Sequence, residues 1–363
     1  MYDPDKVIAV ILAGGRGERF WPRSRRATPK QLLNITGDRP LVAETWSRIT
    51  SIIPPERILL ICDPRLSTTL VRALPQLPPD NIIVEPEGRN TAAAVALATM
   101  TVRQRWGDQA LMMVLPADHY IENREAFIKT VKVALEVAAQ GKDLVTIGLR
   151  PTRPETGYGY IEIPADHTDI MGQRIFRAVR FTEKPGVHEA MGFLRGGIHL
   201  WNSGMFFWRA DVIWDALGRH FPEAVSALTD LPINGEGRSK ALKANYAEMP
   251  KLPIDKAVLE KAKNISVVEA FFPWDDMGCW ESLERIKVPD EENNIVMSGE
   301  HVAIETHNCI ISSTGPLVAT IGVYDLVIVV ENDAVLVMPK GRGEEVRKVI
   351  ARISEMPEHK NLL

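Results

Sequence analysis

Between Val7 and Leu149 the chain alternates short, unbroken apolar runs with longer segments whose apolar residues recur at helical spacing. The runs Val7–Leu12, Ile58–Cys62, Ile82–Val84, Leu111–Leu115 and Leu144–Leu149 read as strands buried on both faces. The segments Leu41–Ile49, Leu66–Leu74, Thr91–Trp106 and Glu125–Ala139, the last ended by Gly141, read as helices. This alternation predicts an α/β fold with a mixed, mainly parallel sheet flanked by helices. Ligands of such sheets bind beyond the carboxyl ends of the strands, so the segments after Leu12, Val84 and Leu115 should converge. After Arg150 the pattern loosens, and Tyr158–Ile163, Ala178–Phe181, His199–Trp208 and Ile265–Phe272 suggest strands separated by longer insertions. From about Asn293 to Val337 short apolar strands follow one another with single turn signals, and Glu344–Ile353 closes the chain as a helix. The expected division is therefore a larger domain over 1–288 and a small all-β domain with a closing helix over 289–363. No internal repeat stands out.

Composition narrows the classes. With 363 residues, 45% hydrophobic and 25% charged, the chain can bury one large core or two, which excludes disordered and fibrous types. A net charge of -4 argues against a general polyanion binder, so no nucleic-acid partner is expected. The N-terminal apolar run is short and ends in glycines, which fits a first strand rather than a signal peptide. No stretch approaches the roughly 18 to 20 apolar residues of a membrane span. The cysteines, Cys62, Cys279 and Cys309, are odd in number and far apart, which argues against a disulfide framework or structural zinc. The cytoplasm is the expected compartment.

Against that acidic balance, Leu12–Gln31 stands out: LAGGRGERFWPRSRRATPKQ holds three glycines, five arginines, two prolines and a lysine directly after the first strand. It lacks the G-x-x-x-x-G-K-[ST] string of a P-loop. A dinucleotide loop needs a third glycine three residues after the second and a helix opening inside the loop. Here Phe20 follows, and Pro22 and Pro29 break any helix. What remains is a glycine-started, irregular loop carrying Arg16, Arg19, Arg23 and Lys30. Glycines let backbone N–H groups approach phosphate closely, while arginine forks and a lysine point charge neutralise it, so a nucleoside triphosphate is the expected ligand.

This stretch resembles the signature of the sugar-phosphate nucleotidyltransferases, in the form typical of the mannose-1-phosphate guanylyltransferases. The resemblance continues through EPEGRNTAAAVALA (Glu85–Ala98), LPADHYI (Leu115–Ile121), RPETGYGYIE (Arg153–Glu162), FTEKP (Phe181–Pro185), WNSGMFFW (Trp201–Trp208) and WDDMGCW (Trp274–Trp280), and it spans the whole chain. It implies the Rossmann-like nucleotidyltransferase fold with a small C-terminal left-handed β-helix-like domain. There are departures. Glu18 stands where the family more often has Thr, Arg16 where a small residue is common, and Asp275 and Cys279 replace the serines of the usual S-D-V-G-S-W.

Joining a sugar 1-phosphate to a nucleotide needs in-line attack of a phosphate oxygen on the α-phosphorus, with pyrophosphate leaving. The nucleophile is already ionised near neutral pH, so charge neutralisation and positioning carry the catalysis. A hard divalent ion held by a few carboxylates suits this, and Mg²⁺ is the expected cofactor. Asp118 and Asp276, each read as following a strand end, are the expected metal ligands, with His119 left out of the set. The resemblance implies further roles. Leu12, Ala13, Gly14, Gly15 and Gly17 offer backbone to the nucleotide; Arg19 clamps the β- and γ-phosphates; Lys30 sits at the α-phosphate and the sugar phosphate. Glu85, Asn90 and Thr91 lie where the family places the base, Asn90 and Thr91 being equally suited to cap the alanine-rich helix. Gly157, Glu183, Lys184 and Asn202 face the sugar phosphate. The expected reaction is GMP transfer from GTP to mannose 1-phosphate by a monofunctional enzyme, with a homodimer as the expected assembly. The alternatives are another hexose or heptose 1-phosphate or another base, a non-catalytic nucleotide-sugar sensor, and a glycosyltransferase; the last should show a strand-end Asp-x-Asp, and none is visible.

Overall fold

Four of the five apolar runs become strands that lie between two others, and Ile82–Val84 forms an edge of the sheet. In the computed structural model, which describes residues 2–229 and 236–363, one sheet contains β1 (Val7–Ala13), β2 (Ile58–Cys62), β3 (Ile82–Val84), β4 (Leu111–Pro116), β5 (Leu144–Leu149), β6 (Gly159–Glu162), β7 (Thr168–Ile170), β8 (Gln173–Arg177), β9 (Arg180–Glu183), β10 (His199–Arg209) and β11 (Ile265–Ala270). The order is β3-β2-β1-β4-β10-β5-β11-β8-β7, with β6 joining β10 to β9. β1 pairs in parallel with β2 on one side and β4 on the other, so the chain order reverses beside it. That reversal is where open α/β sheets place their ligands. β10 runs against both β4 and β5, so β5 and β11 point the same way as β1 to β4. The mixed, mainly parallel sheet flanked by helices is the architecture the apolar pattern predicts.

Contacts divide the chain into two units, and this sheet belongs to the first: Met1–Gly14, Trp46–Ala117 and Ile121–Pro273. The helix Asn90–Trp106 is buried from Ala92 to Val102 because alanine side chains let it lie close on β1, β2 and β4. The structure differs from the apolar pattern mainly after residue 160. The hairpin β7–β8 turns at Met171-Gly172, both at positive φ. The insertions are helical: Val187–Gly196, Ala210–His220, Pro222–Thr229 and Glu236–Glu248. The last long strand stops at Ala270, and Phe271 is exposed.

The second unit comprises Gly15–Thr45, Asp118–Tyr120 and Trp274–Leu363. It contains β12 (Ile295–Ser298), β13 (His301–Ile304), β14 (Ile310–Ser313), β15 (Val318–Ile321), β16 (Leu326–Val330) and β17 (Val335–Pro339). β12, β14 and β16 stack in parallel, as do β13 and β15, while β17 returns antiparallel to β16. His301 pairs with Val318 and Ile310 with Val327, each 17 residues further along, so the tail does repeat structurally although its residues do not. The closing helix opens with a 3₁₀ turn, Gly343–Glu345, and continues over Val346–Ser354. Phe20 and Trp21 anchor the arginine-rich loop in the same apolar cluster as Trp280, Ile310 and Val327. Among the described residues no helix is long and apolar enough to cross a membrane.

Candidate active site

In the first unit, Leu12 and Ala13 end β1 and Gly14 follows it, and Glu85 follows β3 with its N–H donating to the Cys62 carbonyl. A Cβ on Gly14 would lie 3.2 Å from Glu85 Oε2, so the two segments converge as the sheet rule requires. Glu85 is 4% exposed. Burial pushes its carboxyl up to about 7, opposed by the Tyr246 hydroxyl, which donates to Oε1 at 2.6 Å, and reinforced by the charge of Asp63. The nearby Cys62 thiol is pushed up to about 12, by burial first and then by Glu85.

Asn90 does not cap the alanine-rich helix in the expected way. It is the first helical residue, at φ 66°, and its Oδ1 accepts from the adjacent Thr91 N–H at 2.8 Å; the N-cap is Arg89, whose side chain makes no capping bond. Thr91 Oγ1 instead accepts from Ile254 N–H at 2.8 Å, which ties the helix start to the turn Asp255–Leu259.

That turn supplies a residue absent from the expected set. Asp255 Oδ1 accepts from Asn202 Nδ2 at 2.9 Å, while Asn202 Oδ1 accepts from the Thr146 hydroxyl at 2.9 Å and from Gly204 N–H at 3.3 Å. Burial and the neighbouring Glu183 charge push the Asp255 carboxyl up to about 7. Glu183 Oε1 accepts from Lys184 Nζ at 2.8 Å. Gly159 makes room for it, since a Cβ there would come within 2.8 Å of Glu183 Oε2. Gly157 N–H donates to Glu155 Oε1 at 3.0 Å. Glu183, Lys184, Asn202 and Asp255 thus form one polar cluster, and no spacing in the chain signals Asp255.

In the second unit the structure joins Lys30, Asp118 and Asp276. Lys30 is 6% exposed, and its ammonium donates to Asp118 Oδ2 at 2.7 Å, to the Asp276 carbonyl at 2.8 Å and to the Met277 carbonyl at 2.9 Å. Burial alone would raise the Asp118 carboxyl, but Lys30 and His119 beside it hold it below its ordinary value, so it is ionised at neutral pH. Asp276 follows a separate two-residue strand, Trp274–Asp275, rather than the end of β11. A Cβ on Gly278 would lie 3.0 Å from Asp276 Oδ1 and 3.4 Å from Arg19 Nη2, which places the carboxylate and the guanidinium side by side. Arg19 also pairs with Glu344. Gly17, at φ 61°, packs where a Cβ would sit 2.1 Å from Lys30 Cβ.

Other charges of the loop do different work. Arg23 does not join the phosphate-binding set: its Nη1 donates to Ser298 Oγ at 3.1 Å and Ser312 Oγ at 3.0 Å, pinning the loop to β12 and β14. Arg16 is exposed and 3.7 Å from Glu18, a contact of little energetic weight. Asp275 is 2% exposed, gripped by Arg285 and accepting from Met277 N–H at 2.8 Å, so this extra carboxylate shapes the turn before Asp276. His119 Nδ1 accepts from the Trp274 indole at 3.1 Å.

Among the described residues no group of three or more His, Cys, Asp or Glu is arranged to hold a metal by itself. The Asp118 carboxylate and the main chain of Asp276 meet at Lys30, and the two aspartates are oxygen donors of the kind and number Mg²⁺ takes when substrate oxygens and water complete its shell, so the residues fit that ion in chemistry.

Residues 8–293 match the Nucleotidyl transferase family, and residues 299–353 match the MannoseP isomerase/GMP-like beta-helix domain. A mannose-1-phosphate guanylyltransferase of Klebsiella pneumoniae is 39% identical over 349 residues, covering 95% of this chain and 73% of that protein. One of Escherichia coli shows the same identity and coverage. A crystal structure from Thermus thermophilus, described as a mannose-1-phosphate geranyltransferase, superimposes with a TM-score of 0.86 at 38% identity, covering 96% of this chain and 99% of that one. The chain belongs to the nucleotidyl transferase family, among the mannose-1-phosphate guanylyltransferases.

Proposed function

We propose that this protein transfers GMP from GTP to mannose 1-phosphate, releasing pyrophosphate and forming GDP-mannose. The observation that carries the reading is Lys30, a buried ammonium bonded to Asp118 and to the carbonyls of Asp276 and Met277. A cation held this firmly needs no reorganisation when charge develops on a transferring phosphoryl group. The attacking phosphate oxygen of the sugar is already anionic, so no side chain needs to remove a proton. Asp118 and Asp276 are the residues that would hold Mg²⁺, which when bound supplies charge neutralisation at the phosphates. Arg19 offers a planar fork to the terminal phosphates once it exchanges Glu344 for them. On the first unit, Leu12, Ala13 and Gly14 present backbone to the nucleoside. Glu85 presents a carboxylate, the acceptor that suits guanine, whose N1–H and 2-amino group are both donors. Gly157, Glu183, Lys184 and Asn202 serve the sugar phosphate, the carboxylate and amide toward hydroxyls and the lysine toward phosphate.

Pyrophosphate release over a matrix of four nucleoside triphosphates and several hexose and heptose 1-phosphates tests this reading. GTP with mannose 1-phosphate should give the highest kcat/KM. A higher value for another pair would reassign the substrates, and no release from any pair would favour a nucleotide-sugar sensor.

A further inference from the structure

The helix Glu236–Glu248 delivers a fully buried tyrosine to the end of β3, 161 residues away in the chain. The Tyr246 hydroxyl is 2.6 Å from Glu85 Oε1, and the other carboxylate oxygen faces the Gly14 backbone, where a Cβ would lie 3.2 Å from Oε2. A buried carboxylate is costly unless something favours its ionised form. Neither of the other titratable groups that act on Glu85 does so: Asp63 is an anion, and Cys62 is a neutral thiol across normal pH. Among the described residues, the side chain that stabilises an anion at Glu85 is Tyr246, through its hydroxyl. The same bond orients the carboxylate, because it holds one oxygen and leaves the other toward the Gly14 end of β1.

We infer that Tyr246 is a positioning residue for base selection: its hydroxyl holds one oxygen of Glu85 and turns the other toward the Gly14 end of β1, where it accepts from the N1–H and 2-amino edge of guanine. This rests on the GTP-dependent reading above. A neutral carboxyl offers one fewer acceptor and an O–H that opposes the guanine donors, so discrimination among bases depends on the charge. In the first unit, the titratable groups acting on Glu85 are Tyr246, Asp63 and Cys62; Arg89 and Glu87 act on Tyr246 in turn.

Y246F keeps the ring and removes only the donor. Measured by pyrophosphate release, it should raise KM for GTP about fivefold at pH 7, the effect of one lost hydrogen bond. The gap from the wild type should narrow toward pH 9, as Glu85 loses its proton in the variant as well, and the part that remains reports the lost orientation. KM for mannose 1-phosphate and turnover with ATP should be unchanged. An unaltered KM for GTP at both pH values, or parallel losses with GTP and ATP, overturns the inference. The unfolding midpoint reports whether Y246F folds. If it does not, E85Q supplies the second test: its KM for GTP should be raised and flat between pH 6 and pH 9, and a wild-type pH dependence in E85Q overturns the inference. A wild-type enzyme with no preference for GTP over ATP would instead overturn the underlying reading of the base.

Discussion

Glu85 makes the stability of this protein depend on pH in a window that can be worked out beforehand. In the folded chain its carboxyl holds its proton up to about 7, because it is buried, against 4.5 for an ordinary glutamate. That gap corresponds to about 3 kcal/mol. Between the two values the folded state binds the proton and the unfolded chain does not, so stability falls as pH rises. The contribution is fully present below 4.5 and lost once pH passes about 7. E85Q cannot titrate, yet it retains an oxygen that accepts from Tyr246. Urea unfolding of both proteins between pH 4.5 and pH 8 isolates the effect, since Asp255, raised in the same range, is common to both and cancels in the difference. E85Q should gain on the wild type steadily across the window, reaching about 3 kcal/mol near pH 8 relative to its value at pH 4.5. Parallel stability curves, or a difference that shrinks with rising pH, would refute the upward shift of the buried Glu85 carboxyl in the folded protein.

Three further outcomes follow from the second unit. K30A should lower kcat about 100-fold or more while changing KM for GTP far less, and a pure affinity loss would reduce Lys30 to a binding residue. D118N and D276N should each lower Mg²⁺-dependent turnover about 100-fold or more while still folding, D118N at a lowered unfolding midpoint because the buried Lys30 ammonium loses its counter-charge; near-normal turnover in both would remove them as metal ligands. G17A should cost about 2 kcal/mol or more in unfolding free energy and lower kcat, because it places a Cβ against Lys30 at a left-handed backbone position; wild-type stability would contradict that packing.

The parts of this fold legible in the sequence are those whose burial is local. β1, β2 and β4 are flanked on both sides, so their apolar runs are unbroken and their bounds nearly coincide with the predicted ones. The hairpin β7–β8 is hidden because its turn is Met171-Gly172 rather than Asn-Gly, and its first strand is largely exposed. Charge in sequence does not separate Arg19 from Arg23. Both are arginines of one loop, and only the serines of β12 and β14 show that Arg23 is a tether. Tyr246 and Asp255 are invisible for a different reason: their partners lie 161 and 53 residues away, and no local spacing encodes such meetings. The spacing of Gly17 and Lys30 can be read along the chain, but its steric cause, a glycine that must lack a Cβ for the lysine to lie there, is a property of the folded loop.

In the proposed reaction the nucleotidyl group, and not the terminal phosphate, moves to the sugar. This is tested most directly by incubating the protein with mannose 1-phosphate and GTP labelled at the α-phosphorus in one reaction and at the γ-phosphorus in another. The α-label should appear in GDP-mannose and the γ-label in pyrophosphate, in equal amounts. A γ-label recovered on the sugar, with unlabelled GDP released beside it, would contradict the account.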